Sequence, residues 1–337
     1  MSHSEEQFSL NHLLQNPSIS DPFIRLHLVR HYIELLGDLT RGLLLDLSSS
    51  GAETLPDTQE IQTPSSEDLE SETTMLSKRS DYGDAGSLAK TRMEALDLFD
   101  SRVFEMYCYV AIWVDMIHVW GHPMLLCMGT TVEGYRQILG FLEAPPQDVV
   151  AMQRLFNDLT ERGLPTGLFC ITSGGAPLSR LIVDCLEPSG IQYCQFCKRE
   201  SVLSFLGESE SDQIKGAMKQ AYEIPDHGKA LDALMGIHAD LLHRNRSAAH
   251  ILEQDLDKTL TLHRTGHMSR LSRSLRTTRC IASIGQKLNK RLKELQGWLP
   301  PTDRRAQIAL GLLEIELGMR TLDHASQLPA LLKPVTS

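Results

Sequence analysis

Residues 107–115, YCYVAIWVD, gather aromatic and β-branched side chains into an unbroken apolar run that closes on a single acid, Asp115. Such a run reads as a strand buried on both faces. Working outward, residues 123–131 (PMLLCMGTT) and 134–142 (GYRQILGFL) read as two further strands with turn-like breaks between them. A helix is expected over 146–162, a buried strand over 167–173 (GLFCITS), a helix over 177–186 and a short strand over 191–194. Everything beyond reads as helical: 198–205, 212–222, 228–242, 248–262, 280–295 and 303–322. One more helix, 87–102, precedes the first strand. Three consecutive strands, then alternating helices and strands, then helices alone, define an α/β protein.

The amino-terminal third differs in character. Asp21-Pro22 reads as a helix start, with the acid as cap and proline in the first helical position. The apolar period from Ile24 to Leu43 extends that helical segment, which makes 1–47 an N-terminal helical segment. Residues 48–84 are polar, acidic and rich in turn formers, and read as a disordered linker before a core spanning 85–337. No apolar run approaches the ~20 residues of a membrane span, and the acidic start MSHSEEQFSL has no apolar core of a signal peptide. Seven scattered cysteines, an odd number, suit a reducing cytoplasm and no disulfide framework.

The net charge of −10 taken alone argues against a nucleic-acid partner, yet it is unevenly spread. Seven acids and no Lys or Arg lie between Gly51 and Ser77, whereas 264–305 holds eleven Lys and Arg against Glu294 and Asp303. Arg270, Arg273, Arg276 and Arg279 recur every three residues, so a helix would display them as a stripe. Arg264, Lys287, Lys290, Arg291 and Lys293 extend the charge. Guanidinium forks suit phosphate geometry, so this run is the candidate DNA-backbone surface.

Several stretches together resemble one family. Residues 113–118 (WVDMIH) resemble the strand that carries the first catalytic aspartate of Mutator-type bacterial insertion-sequence transposases. Residues 129–142 (GTTVEGYRQILGFL) are similar to the family's following hairpin, and 161–164 (ERGL) to the end of its next helix. Residues 192–202 (QYCQFCKRESV) resemble a signature that in the family reads Cys-x-x-His. Residues 245–267, 275–284 (LRTTRCIASI) and 309–333 are similar to its remaining motifs, in order. The resemblance runs from about Ser87 to Lys333 and does not reach the first 85 residues. It implies a ribonuclease H-like mixed-sheet core, a helical insertion over about 198–275 and a helical carboxy-terminal region.

The resemblance also implies a chemistry. Such enzymes clamp two Mg²⁺ ions between two aspartates and a glutamate to cut and join DNA, and Mg²⁺ demands oxygen ligands. Asp115 matches the first aspartate. The second corresponds to Ser173 or to Thr172, depending on the direction of counting, and the glutamate corresponds to Ala282. Two of three carboxylates are thus missing, and the chain is expected to be a catalytically inactive relative with no cofactor of its own. Asp184, Glu187 and Glu200 are the acids near the second motif that would have to substitute. The expected partners are DNA through its backbone, and a second copy or an active transposase in a mixed oligomer. That last arrangement would make the chain an inhibitor of transposition, associated with the bacterial nucleoid.

Two smaller patterns have modest readings. Cys194 and Cys197 form half a zinc site by spacing, completed only if folding brings Cys170, Cys185 or Cys280 close. Gly174-Gly175 after Thr172-Ser173 reads as a tight turn, because no Walker-type lysine follows.

Overall fold

A computed structural model describes residues 85–293 and 301–335. The expected segments 1–47 and 48–84 lie outside the described residues. Two compact units divide the described chain: 85–98 with 301–317, and 99–293 with 318–335. In the first unit, helix α1 (Ala85–Asp100) contributes most of its length. With it stands the helix Pro301–Leu317, whose Ala306, Ile308, Ala309, Leu310, Leu312 and Leu313 are all buried. A helix apolar around so much of its circumference is one enclosed by protein.

The second unit is built on a five-stranded mixed sheet. Strands β1 (Tyr109–Val119), β2 (His122–Thr131) and β3 (Arg136–Glu143) form an antiparallel meander. Strands β4 (Phe169–Thr172) and β5 (Gly190–Tyr193) add parallel on the other side of β1, giving the order β3-β2-β1-β4-β5. The 107–115 run therefore becomes the central strand, which is why it is apolar on both faces.

Alternation sorts the two faces. Ile112, Val114, Leu125, Cys127, Leu139 and Cys170 face helices α2 (Val149–Glu161) and α3 (Leu178–Leu186). Asp148 caps α2 by accepting the Ala151 N–H at 3.0 Å, and Met152, Phe156 and Leu159 project onto the sheet.

Beyond β5 run the helices α4 (Gln195–Leu203), α5 (Glu208–Glu223), α6 (His227–Arg244) and α7 (Arg246–Glu253). They enclose a second core that includes Met218, Tyr222, Leu234, Leu252 and Leu260. Asn245 ends α6 and caps α7, its side chain accepting the Ala248 N–H at 3.0 Å. The single helix expected over 248–262 is broken instead. Asp255 takes a left-handed conformation (φ 52°), and a 3₁₀ turn, Asp257–Leu260, leads into the short α8 (Thr261–Arg264). The cause is tertiary. Buried Gln192 and Gln195 both donate to the Thr259 carbonyl, at 2.7 and 2.9 Å, and Gln192 accepts the Leu262 N–H at 2.7 Å. Those bonds fasten the segment to β5 at the expense of helical continuity.

The basic run forms two helices, of which only the second answers to an expected one, 280–295. Helix α9 (Met268–Leu275) ends at Arg276, and α10 (Arg279–Leu292) starts afresh after Thr278. The remaining helix, α11, is Pro301–Leu317 of the first unit; it stops at Gly318, short of the expected 322, and a 3₁₀ segment, Ala325–Leu332, follows. Among the described residues no helix is long and apolar enough to cross a membrane.

Helix α10 lies along the face of β1 opposite α2 and α3. Gly285 makes this approach possible: a Cβ there would stand 3.2–3.3 Å from the Ile117 side chain. At the far end, Asn289 donates to the His118 carbonyl (2.6 Å) and accepts the Trp120 N–H (3.0 Å). The near end of α10 brings Thr278 to Asp115.

Candidate functional site

Asp115 stands inside β1, not at its end as the sequence suggested. The antiparallel pairing with β2 carries β1 on to Val119, while the parallel pairing with β4 stops at Val114 opposite Thr172. Asp115 and Ser173 are thus the next residues along two adjacent strands, just where their ladder ends. The Ser173 hydroxyl donates to Asp115 Oδ1 at 2.6 Å, and the Met116 N–H donates to the same oxygen at 2.9 Å. Thr172 points elsewhere: it is fully buried, and its Oγ1 accepts the Gly174 N–H at 3.4 Å. Of the two positions left open by counting, Ser173 is the one that meets Asp115.

Asp115 is 7% exposed. Burial raises its carboxyl pKa, because desolvation penalises the charged form; hydrogen bonds from Ser173, Thr278 and the Met116 N–H oppose the rise.

Thr278 is the residue that sequence reading missed. It is buried and precedes α10, but its hydroxyl does not cap the helix. It serves Asp115 on one side and lies 4.0 Å from Cys197 Sγ on the other, while its N–H donates to Cys194 Sγ at 3.4 Å. The one signal in the sequence was a threonine placed just before the apolar period Ile281, Ile284, Leu288.

Cys194 caps α4, with its sulfur also accepting the Cys197 N–H at 3.4 Å. A hydrogen bond between the two thiols lowers the Cys194 pKa and raises that of Cys197. The other cysteines do not complete a metal site. Cys170 lies buried beside Cys127 on the α2–α3 face. Among the described residues no group of three or more His, Cys, Asp or Glu is placed to hold a metal ion.

The acids that would have to replace missing ligands are elsewhere. Asp184 and Glu187 are exposed, Asp184 pairing with Arg180 at 3.7 Å and Glu187 closing the far end of α3. Glu200 is exposed and pairs with Arg199 at 3.1 Å. Ala282 is exposed on the first turn of α10, four residues after Thr278 and so on the same helix face.

This donor set does not fit a pair of hard divalent cations. One buried carboxylate has its Oδ1 already bonded to a hydroxyl and an amide. A neutral hydroxyl is a weak ligand, and a methyl group is none.

The candidate basic residues fall into two groups. Arg264 is tied internally, paired with Asp257 and bonded to His227 at 3.3 Å. Arg276 pairs with Glu223 at 3.0 Å, and Arg273 stands 3.9 Å from Asp323. Arg270, Arg273 and Arg279 are exposed, and Arg279 lies over the Phe196 ring at 4.7 Å. Lys287, Lys290, Arg291 and Lys293 are all exposed along α10 and its end. Residues 276–293 contain no Asp or Glu. Helix α10 itself therefore contributes charge of one sign from its Asp115 end to the tip of the β1–β2 hairpin.

Comparison with known proteins gives a consistent result. The family described as "Transposase, Mutator family" matches residues 74–314. A transposase for insertion sequence element IS6120 of Mycolicibacterium smegmatis is 24% identical over 218 residues, 63% of this chain and 66% of that protein. Transposases for insertion sequence element IS1081 of Mycobacterium tuberculosis and Mycobacterium bovis are 26% identical over 163 residues, covering 44% of this chain and 39% of theirs. The chain spans just under two thirds of the first of these relatives and well under half of the others.

Proposed function

The chain belongs to the Mutator family of transposases, and from that premise we propose that it binds DNA without cutting or joining it. The core is read as ribonuclease H-like; an antiparallel meander flanked by two parallel strands in the order β3-β2-β1-β4-β5 supports that reading. One observation carries the proposal of inactivity. Where two further carboxylates would have to converge on Asp115, its oxygen meets the Ser173 hydroxyl at 2.6 Å, with Thr278 beside it. Two-metal phosphoryl transfer needs several anionic oxygens to hold the ions, and a lone buried carboxylate whose pKa is raised does not supply them.

DNA binding is supported by the basic side chains exposed along α10, whose own sequence holds no acid. Ammonium and guanidinium groups along a helix contact phosphates without reading sequence. If the chain also forms mixed oligomers with an active transposase, it acts as an inhibitor, contributing DNA grip but no chemistry.

A strand-transfer assay tests the proposal. The purified chain, terminal-repeat DNA and Mg²⁺ or Mn²⁺ are expected to give no joined product, with mobility-shifted DNA recovered uncut. Joined product that disappears in Asp115→Asn would overturn it.

A further inference from the structure

At the end of α10 farthest from Asp115 lies a shallow depression of about 490 Å³, lined by Trp120, Gly121, Asn289, Lys290 and Lys293. Its construction is unusual for a hairpin tip. Trp120 and Gly121 form the two-residue turn joining β1 to β2, both with positive φ (51° and 80°). Asn-Gly is the ordinary choice there, and a bulky aromatic residue in that region is a strained outlier. The strain is held by bonds from distant parts of the chain. Asn289 accepts the Trp120 N–H at 3.0 Å and donates to the His118 carbonyl at 2.6 Å, while the indole N–H donates to the Leu292 carbonyl at 2.9 Å. The indole is thereby fixed against the end of α10, partly exposed, with two ammonium groups beside it.

We propose that this depression binds one unpaired nucleotide of a DNA strand, the base stacking on Trp120 and the flanking phosphates on Lys290 and Lys293. The inference rests on the DNA-binding reading of α10 and extends it from backbone contact to recognition of a frayed or overhanging end. Three features favour a base attached to a strand. An indole offers a stacking surface to any base. Among the described residues the lining contains no acid that would repel phosphate. The basic face of α10 runs continuously into the depression, so a bound backbone leads there. The geometry is consistent from two directions. Five residue steps along β1 and its turn lead from Asp115 to Trp120, about 16 Å at strand rise, and eleven steps along α10 lead from Thr278 to Asn289, about 16 Å at helix rise. An end seated on Trp120 is thus about five base-pair steps from the Asp115 cluster.

The test compares blunt duplex with duplex carrying a short single-stranded overhang, by fluorescence anisotropy with the full chain. The expected preference for the overhang is about tenfold, from stacking of one base. Trp120→Leu is expected to abolish that preference while leaving blunt-duplex affinity within about twofold, and Trp120→Phe to retain most of it. Because Trp120→Leu also removes a bond that anchors α10, a second measurement uses the unaltered protein. A 2-aminopurine in the overhang is expected to lose fluorescence on binding, and the same base inside the duplex is not. Equal affinity for both DNAs, an overhang preference that survives in Trp120→Leu, or unchanged 2-aminopurine emission would overturn the proposal. Failure of the underlying reading looks different: neither DNA would bind in a salt-dependent way.

Discussion

Replacing Ser173 with aspartate will destabilise the protein by about 3–5 kcal/mol at neutral to alkaline pH, the cost of an uncompensated buried charge. The hydroxyl it removes is the 2.6 Å donor to Asp115, and the group it introduces is a second acceptor of like charge. Two carboxyls so placed share a proton, which raises the pair's pKa in the folded state. The sign follows. With folded pKa above unfolded pKa, the stability is retained in acid, below the ordinary carboxyl range, and lost as pH rises through the folded value. Thermal denaturation across pH should therefore show Ser173→Asp close to the unaltered protein in acid and far below it at neutral pH. Adding Ala282→Glu extends the experiment. Helical side chains lean toward the helix N-terminus, so a glutamate introduced at Ala282 would reach back past Thr278 toward Asp115. In the double variant, millimolar Mn²⁺ should recover about 2–3 kcal/mol, the linkage expected at roughly a hundredfold excess over Kd. The unaltered protein should show no such gain. A Ser173→Asp protein as stable at neutral pH as in acid would mean that the Ser173 side chain does not face Asp115.

Charge reversal on α10 is the second large effect. Arg279→Glu, Lys287→Glu and Lys290→Glu together should lower affinity for blunt duplex by at least about a hundredfold at low salt. The salt-dependence slope should fall by about 3, one for each phosphate that is no longer neutralised. All three residues are exposed on a helix whose buried face is Ile281, Ile284, Leu288 and Leu292, so the fold should survive. By contrast, Arg264→Gln and Arg276→Gln should change binding little, because those guanidiniums already pair with Asp257 and Glu223. The two sets together separate a DNA-binding face from charge that serves the fold. Equal losses of affinity from both sets would place the DNA elsewhere.

Much of the sheet was legible in the sequence because its signal is local. A buried central strand must be apolar on both faces, and residues 107–115 satisfy that without reference to anything else. The same pattern hid where β1 ends, since the pairing that carries it past Asp115 to Val119 comes from β2. Helix boundaries failed where distant residues intervened. Nothing in residues 248–262 announces a break, which is imposed by Gln192 and Gln195 from β5 and α4. The arginine triplet spacing gave no sign of the interruption at Arg276–Thr278, because periodicity is blind to it. At the candidate site, counting along the chain left two choices for the partner of Asp115, and only the end of the β1–β4 ladder distinguishes Ser173 from Thr172. Thr278 and Trp120 were invisible as site residues, since each acquires its role from a neighbour more than 150 positions away.

Diffraction from crystals soaked in Mn²⁺, with anomalous scattering mapped around Asp115, tests the absence of a catalytic metal pair without relying on turnover. No anomalous peak is expected within about 2.5 Å of the Asp115 carboxylate, the span of a metal–oxygen bond. Two peaks bridged by that carboxylate would show that other ligands assemble a working metal centre, and would contradict the assignment of this chain as a transposase relative that holds DNA but does not cut it.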